Sequence, residues 1–324
     1  MVDSPPPPNP DFIYSLYTGG FKGQLIRIAL VLDVFSPLAT GAADAQTIAQ
    51  HCGCEENMLI ALLDYLCSLD VLDHVQNTYS LSPTAAAFLV PGKESFAGDW
   101  VLADTDPELW NGILLALRNG KPFLAKFPYE QDAWLESYST SRPAKSLEMW
   151  KAAGIEIGKC PGLRVLDLAC GCAVKSCVLA QADPTVRITC QDQPQVLDVA
   201  RALGERLQIL SQVDFLPGDM FTLDIGNSCY EVALLGQITY SLTPAKNFDV
   251  IQRVFEALSP GGILVIDSFM ISEPPTEYAS MVNVLMKTIF GGASYPFVQY
   301  CRWLADAGFK QVEQLSETWI SAIK

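Results

Sequence analysis

Val165-Leu166-Asp167-Leu168-Ala169-Cys170-Gly171-Cys172-Ala173 is the stretch on which the reading of this chain turns. An apolar run at residues 164–168 gives way to small residues around one glycine, and residues 174–182 then follow with helical spacing. That is a strand, a tight turn and a helix. Downstream, short apolar runs at residues 186–190, 213–216, 231–235 and 262–268 alternate with helical patterns at 194–207 and 244–258. Such alternation predicts an α/β domain: a doubly wound, mainly parallel sheet covered by helices on both faces and built from right-handed crossovers. Residues 309–315 and 318–323 are expected to add edge strands.

Upstream the pattern is different. Residues 11–37 hold Leu25, Ile28, Ala29, Leu32 and Phe35 at helical spacing, interrupted early by Gly19, Gly20 and Gly23 and ended by Ser36-Pro37. Helices are expected at 45–51 and 55–69, then two short strands, 71–74 and 78–81, about a turn at Gln76-Asn77. Three helices and a hairpin predict a winged helix. No Lys or Arg lies between Arg27 and Lys93, and Glu55, Glu56 and Asp64 stand on the second helix where a DNA reader carries basic residues. A module that packs on a second copy of itself is the better reading. Further helices at 109–117 and 144–157 would bridge the halves. The predicted division is a helical, winged-helix dimerisation domain over 1–100, a helical linker contributing to a substrate pocket over 101–160, and the α/β domain over 161–324.

Composition narrows the function. The 324 residues are 50% hydrophobic, enough for a sizeable core, and the formal net charge of −15 argues against nucleic acid. No run is long and apolar enough to span a bilayer, and Met1 to Pro10 lacks the features of a secretory signal. Ten cysteines then fit reduced thiols, and a cytoplasmic enzyme acting on a small molecule is expected. Cys170, Cys172, Cys177 and Cys190 lack paired metal-ligand spacing, so no metal is expected.

In doubly wound sheets ligands bind beyond the carboxyl ends of the strands. A dinucleotide needs Gly-x-Gly-x-x-Gly for its pyrophosphate, and here only Gly171 is present. A ligand without pyrophosphate asks less: Gly171 and small neighbours such as Ala169 let the chain pass close to it. Asp167 can accept from an ammonium group, Asp192 after the second strand from ribose hydroxyls, and Asp219 after the third from an exocyclic amine. Met220 offers an apolar face to a flat base. Gln237, at the end of the fourth strand, is a further ligand candidate by position.

These residues carry a resemblance. Val165 to Gly171, Gly218-Asp219-Met220-Phe221, Leu258-Ser259-Pro260-Gly261-Gly262 leading into Ile263 to Asp267, and Ala307-Gly308-Phe309 resemble, in order and spacing, the S-adenosylmethionine-dependent O-methyltransferases that join a winged-helix dimerisation module to a Rossmann-like catalytic domain. Ala29 to Phe35 and Gly120-Lys121-Pro122-Phe123 look like that family's first core helix and inter-domain segment. The resemblance covers nearly the whole chain and implies S-adenosylmethionine as cofactor and a homodimer.

One departure bears on the chemistry. Family members that methylate hydroxyls carry His-Asp after the fourth strand, the His acting as general base; here Tyr240 and Ser241 stand there. The two histidines, His51 and His74, lie in the winged-helix region, where they are expected to be structural. An unactivated phenol has a pKa near 10 and needs a base; a thioether sulfur or an already ionised oxygen does not. The expected reaction is therefore methylation of a small acceptor without a His base, favouring S-methylation of a thioether or methylation of an already ionised oxygen. The S-methyltransferases acting on 4-methylthio-2-hydroxybutyrate are similar in architecture. The alternative is a relative that keeps the cofactor without transferring methyl. Tyr240 is the candidate catalytic residue. Trp110, Trp150, Met286 and Tyr295 are expected to line the acceptor site. Arg142, with Arg118 or Lys145 as other choices, would meet a carboxylate, and Lys175 is expected to be exposed.

Overall fold

The computed structural model describes residues 10–93, 95–103, 107–123, 143–159 and 161–324, in two compact units spanning 1–105 and 106–324. In the first unit, helices Ala45–Cys52 and Glu56–Ser68 precede an antiparallel hairpin, β1 (Leu72–Val75) and β2 (Thr78–Leu81). Asp44 caps the first of these helices by accepting the Thr47 N–H at 2.8 Å. Phe35, Ile48, Leu63 and Leu66 are fully buried beneath the hairpin. The expected winged helix is thus formed, with one difference at its start. Helix Pro10–Val31 runs through Gly19, Gly20 and Gly23 and stops before a left-handed Asp33, φ 56°, while Ser36-Pro37 lies inside a separate turn of helix, Phe35–Leu38. Each glycine costs a helix only about 1 kcal/mol, and proline is tolerated in a first turn. Both histidines have local partners: His51 Nε2 lies 2.9 Å from Asp33, and His74 stacks on Tyr79 at 4.2 Å.

The second unit is built on a seven-stranded sheet: β3 (Arg164–Leu168), β4 (Arg187–Asp192), β5 (Val213–Pro217), β6 (Tyr230–Gly236), β7 (Leu258–Asp267), β8 (Lys310–Gln314) and β9 (Trp319–Ile323). Its order is β5-β4-β3-β6-β7-β9-β8, parallel through β7, with β9 antiparallel to both β7 and β8. Only β8 is the edge strand on that side. β9 lies inside the sheet, and Ile320 and Ala322 are accordingly fully buried.

Period-two alternation places successive side chains on opposite faces. Val165, Val232 and Leu234 enter one core, with helices Val174–Ala182, Pro194–Arg206 and Pro143–Ala152. Leu166, Leu168, Ala233 and Leu235 enter the other, under helices Pro244–Ala257 and Phe297–Ala307. Helices Glu277–Ile289 and Phe297–Ala307 were not expected from the sequence pattern. No described helix is long and apolar enough to cross a membrane.

Candidate active site

From β3 the chain winds outward through β4 and β5, then returns to place β6 on the other side of β3. A crevice opens at the carboxyl ends of strands where the winding reverses. The 169–173 loop after β3 and the turn after β6 flank it.

The loop is shaped by three left-handed residues, Ala169, Gly171 and Ala173, with φ of 56°, 57° and 56°. A left-handed alanine costs about 1–2 kcal/mol, so the conformation has to be imposed from outside. β4 does so. Cys170 N–H donates to the Gln191 carbonyl at 3.0 Å, Ala169 N–H to the Gln191 side chain at 3.3 Å, and Gly171 N–H to Asp192 Oδ2 at 2.8 Å. Gln191 Nε2 in turn reaches the Gly218 carbonyl at 2.6 Å, tying the ends of β4 and β5 together. Nothing lies within 4 Å of where a Cβ on Gly171 would be, so the backbone can be approached closely there.

Asp167 sits beneath this loop, only 2% exposed, and accepts from Ser176 Oγ at 2.5 Å. Burial pushes its carboxyl up to about 7, against the opposing pull of the Ser176 hydroxyl and the Lys175 ammonium. Asp192 is also raised by burial, tempered by the N–H groups of Gly171 and Gln193. Asp219 is exposed beyond β5 and accepts the Phe221 N–H at 3.0 Å, which closes a turn around half-buried Met220.

Lys175 departs from expectation. Its side chain is 17% exposed, and Nζ pairs with Asp267 Oδ2, at the end of β7, at 3.2 Å. The same Asp267 oxygen accepts from Gln237 Nε2 at 3.3 Å, and Gln237 Oε1 accepts the Tyr240 hydroxyl at 3.0 Å. A hydrogen-bonded chain therefore runs from Lys175 through Asp267 and Gln237 to Tyr240. Gln237 is itself left-handed, φ 67°, with its N–H on the Asp267 carbonyl at 2.7 Å.

Tyr240 occupies a short 3₁₀ turn, Thr239–Ser241, fastened from below. Thr239, Ser268 and Tyr300 form a buried triangle of hydroxyls 2.8–2.9 Å apart, and Asn247 Nδ2 donates to the Thr239 carbonyl at 2.8 Å. Gly292 packs backbone to backbone on the same turn: a Cβ there would lie 2.1 Å from the Tyr240 carbonyl oxygen. Around Tyr240 stand Phe269, at 5.5 Å between ring centres, Tyr278 behind it at 5.4 Å, and Met286, whose sulfur receives Ser241 Oγ at 3.7 Å.

Of the other expected acceptor residues, two belong to the core. Trp150 is fully buried, its indole donating to the Lys175 carbonyl at 2.9 Å; Tyr295 packs edge-on against Tyr300 and Trp303 and donates to the Leu242 carbonyl at 2.7 Å. Shape-filling and a satisfied polar atom account for both, which removes them from the pocket lining. Trp110 is 62% exposed on helix Pro107–Asn119, Arg118 and Lys145 are exposed, and Arg142 lies outside the described residues. Ser176, Gln191 and Asp267 were missed by sequence reasoning, although Asp267 closes a quoted motif.

Residues 14–91 match the O-methyltransferase dimerisation domain and residues 159–310 the O-methyltransferase domain, together more than two thirds of the chain. The chain belongs to the O-methyltransferase family and is a methyltransferase dependent on S-adenosylmethionine. It is 26% identical to the 3-hydroxy-5-methyl-1-naphthoate 3-O-methyltransferase of Streptomyces sahachiroi, covering 94% of this chain and 90% of that one. It is 23% identical to the N,N-dimethyltransferase OxyT of Streptomyces rimosus, covering 95% and 94%. The fold is shared with human N-acetylserotonin methyltransferase, solved in complex with S-adenosylmethionine, at a TM-score of 0.80, 18% identity and coverage of 100% and 99%.

Proposed function

We propose that this enzyme, as a homodimer, methylates an oxygen that reaches the active site already ionised, on a small aromatic acceptor held against Tyr240, Phe269 and Tyr278. One observation carries the reading: the turn after β6 presents Tyr240, and no histidine occurs in residues 161–324. A phenol with a pKa near 10 is neutral at pH 7 and needs a base, whereas an acidic phenol or enol does not. The thioether acceptor expected from the sequence finds no counterpart in the relatives above, whose names specify oxygen and nitrogen methylation, and it is set aside. Chemistry without methyl transfer finds no support in them either. The dimerisation domain supports the homodimer.

The residues present fit the cofactor. The open backbone at Gly171, flanked by Ala169, admits a ligand, Asp167 suits an ammonium, Asp192 a ribose diol, and Asp219 with Met220 an amino-substituted flat base. Gln237 borders this region through its link to Asp267. When bound, S-adenosylmethionine supplies an electrophilic methyl group on a sulfonium. The chain's own work is positioning: the Thr239–Ser241 turn fixes the Tyr240 ring, and the aromatic cluster holds the acceptor and keeps water away.

A panel of substituted phenols and enols of graded acidity, incubated with the enzyme and S-adenosylmethionine, tests this by S-adenosylhomocysteine release. Turnover should track the ionised fraction of each acceptor at the assay pH. Equal rates for weakly and strongly acidic phenols at pH 6.5, where only about 0.03% of a phenol of pKa near 10 is ionised, would refute it.

A further inference from the structure

We infer that Lys175 is the residue that holds the carboxylate of the cofactor's amino-acid portion, with Asp267 keeping its ammonium aimed at the crevice. The inference rests on reading the crevice as the S-adenosylmethionine site. Lys175 is the second residue of helix Val174–Ala182, whose N-terminus opens onto the 169–173 loop. Its Nζ stands 3.2 Å from Asp267 Oδ2 and beside Gly236, which offers no side chain; a Cβ at 236 would lie 3.7 Å from Nζ. The ammonium thus sits at the carboxyl ends of β6 and β7, on the same side of the sheet as Asp167.

Charge complementarity points to the ligand group. Asp167, Asp192 and Asp267 bring three carboxyl groups to the strand ends, which suits the ammonium and hydroxyl groups of the cofactor. Its carboxylate is the exception: among those acids it needs a cation. Lys175 supplies one, reinforced by the partial positive charge of the helix N-terminus on which it is mounted. An ammonium has several N–H donors and can serve Asp267 and a ligand carboxylate together. The helical neighbours of Lys175, Val174, Cys177 and Val178, are buried and uncharged, so the cost of taking the ammonium out of water is offset by its pairing with Asp267, and a ligand carboxylate would offset it further. Asp267 also receives Gln237, which receives Tyr240, so the cation that would hold the cofactor is joined by hydrogen bonds to the turn facing the acceptor.

The test is calorimetry on the full-length protein with S-adenosylhomocysteine and with its decarboxylated analogue, which keeps the amine, thioether and adenosine. Wild-type enzyme should prefer the carboxylated ligand by about 10-fold or more, the range of a charge-assisted hydrogen bond. Lys175→Met should abolish that preference by weakening S-adenosylhomocysteine alone, and Lys175→Arg should retain it. Equal weakening of both ligands in Lys175→Met would mark a purely structural lysine and overturn the assignment. A wild type without any preference would overturn it too, even if Lys175→Met does not fold. A wild type that binds neither ligand would instead bring down the cofactor reading beneath it.

Discussion

Replacing Asp167 by Asn should stabilise the cofactor-free enzyme while weakening its hold on the cofactor, with opposite signs that share one cause. The carboxyl is nearly fully buried and its pKa is about 7 in the fold, against 3.8 as the ordinary value. Because the folded state favours the protonated form, this group's contribution to stability is present below about pH 4 and is lost as pH rises through about 7. At pH 8 the folded protein carries a buried carboxylate at a cost on the order of 4 kcal/mol relative to a neutral group, taking 1.36 kcal/mol for each pH unit between the two values. Asparagine keeps an oxygen for the Ser176 hydroxyl and carries no charge, but its NH₂ brings donors to satisfy, so a net gain of about 2 kcal/mol is expected. Urea unfolding of both proteins at pH 8 should show that gain, and the gap should narrow as the pH falls toward 4. A variant no more stable at pH 8, or a gap independent of pH, would refute the argument.

The binding half follows from the same titration. If an ammonium pairs with ionised Asp167, affinity scales with the ionised fraction, which rises from about one tenth at pH 6 to about nine tenths at pH 8 for a pKa near 7. S-adenosylhomocysteine should therefore bind wild-type enzyme about 10-fold more tightly at pH 8 than at pH 6. Any titration of the ligand itself appears equally in Asp167→Asn, so the difference between the proteins isolates the carboxyl. Identical pH dependences would remove Asp167 from the ammonium site.

Three other substitutions probe separate parts of the site. Tyr240→Phe should change kcat by no more than about threefold with a phenol that is still mostly protonated at the assay pH, whereas loss of a general base costs about 100-fold or more; steady-state kinetics on that acceptor decides between them. Asp192→Ala removes the acceptor of the Gly171 and Gln193 N–H groups and should weaken S-adenosylhomocysteine and 5′-methylthioadenosine alike, by about 10- to 100-fold in calorimetry, since both carry the ribose. A loss confined to one ligand would contradict the assignment. Gly292→Ala drives a methyl into the Tyr240 carbonyl, 2.1 Å away, and should cost about 2–3 kcal/mol in denaturant unfolding together with most of the activity; a neutral result would show that the turn is not clamped there.

How much of this was legible in the sequence depended on how local each signal is. Strand 164–168 and helix 174–182 appear with the bounds their patterns predict, because an apolar run ending at small residues fixes both ends. The acids at strand ends were legible for the same reason: a parallel sheet puts all of its carboxyl ends on one side. β9 was harder, since alternation shows which face is buried but not whether a strand lies at an edge. The pairing of Lys175 with Asp267 could not be read at all. Asp267 is brought to the lysine only by the pairing of β6 with β7 and by the crossover before them. Trp150 and Tyr295 illustrate the converse, for an aromatic side chain carries the same label in a core as in a pocket, and only the packing of distant segments separates the two.

The turn after β6 narrows the chemistry further than the missing histidine does. A phenol ordinarily keeps its proton at neutral pH, and the one on Tyr240 is already given to Gln237, whose amide is held by Asp267, which is in turn paired with Lys175. To take up a proton Tyr240 would first have to be ionised in an acidic crevice, and to donate one elsewhere it would have to break the chain that holds it. Neither suits a proton shuttle. The same chain, together with the hydroxyl triangle beneath Thr239, suits a fixed wall against which an acceptor is aligned. A site of that kind would work by geometry and select acceptors that arrive with their nucleophilic lone pair available, so on the proposed reading acceptor acidity should govern the rate at saturating cofactor.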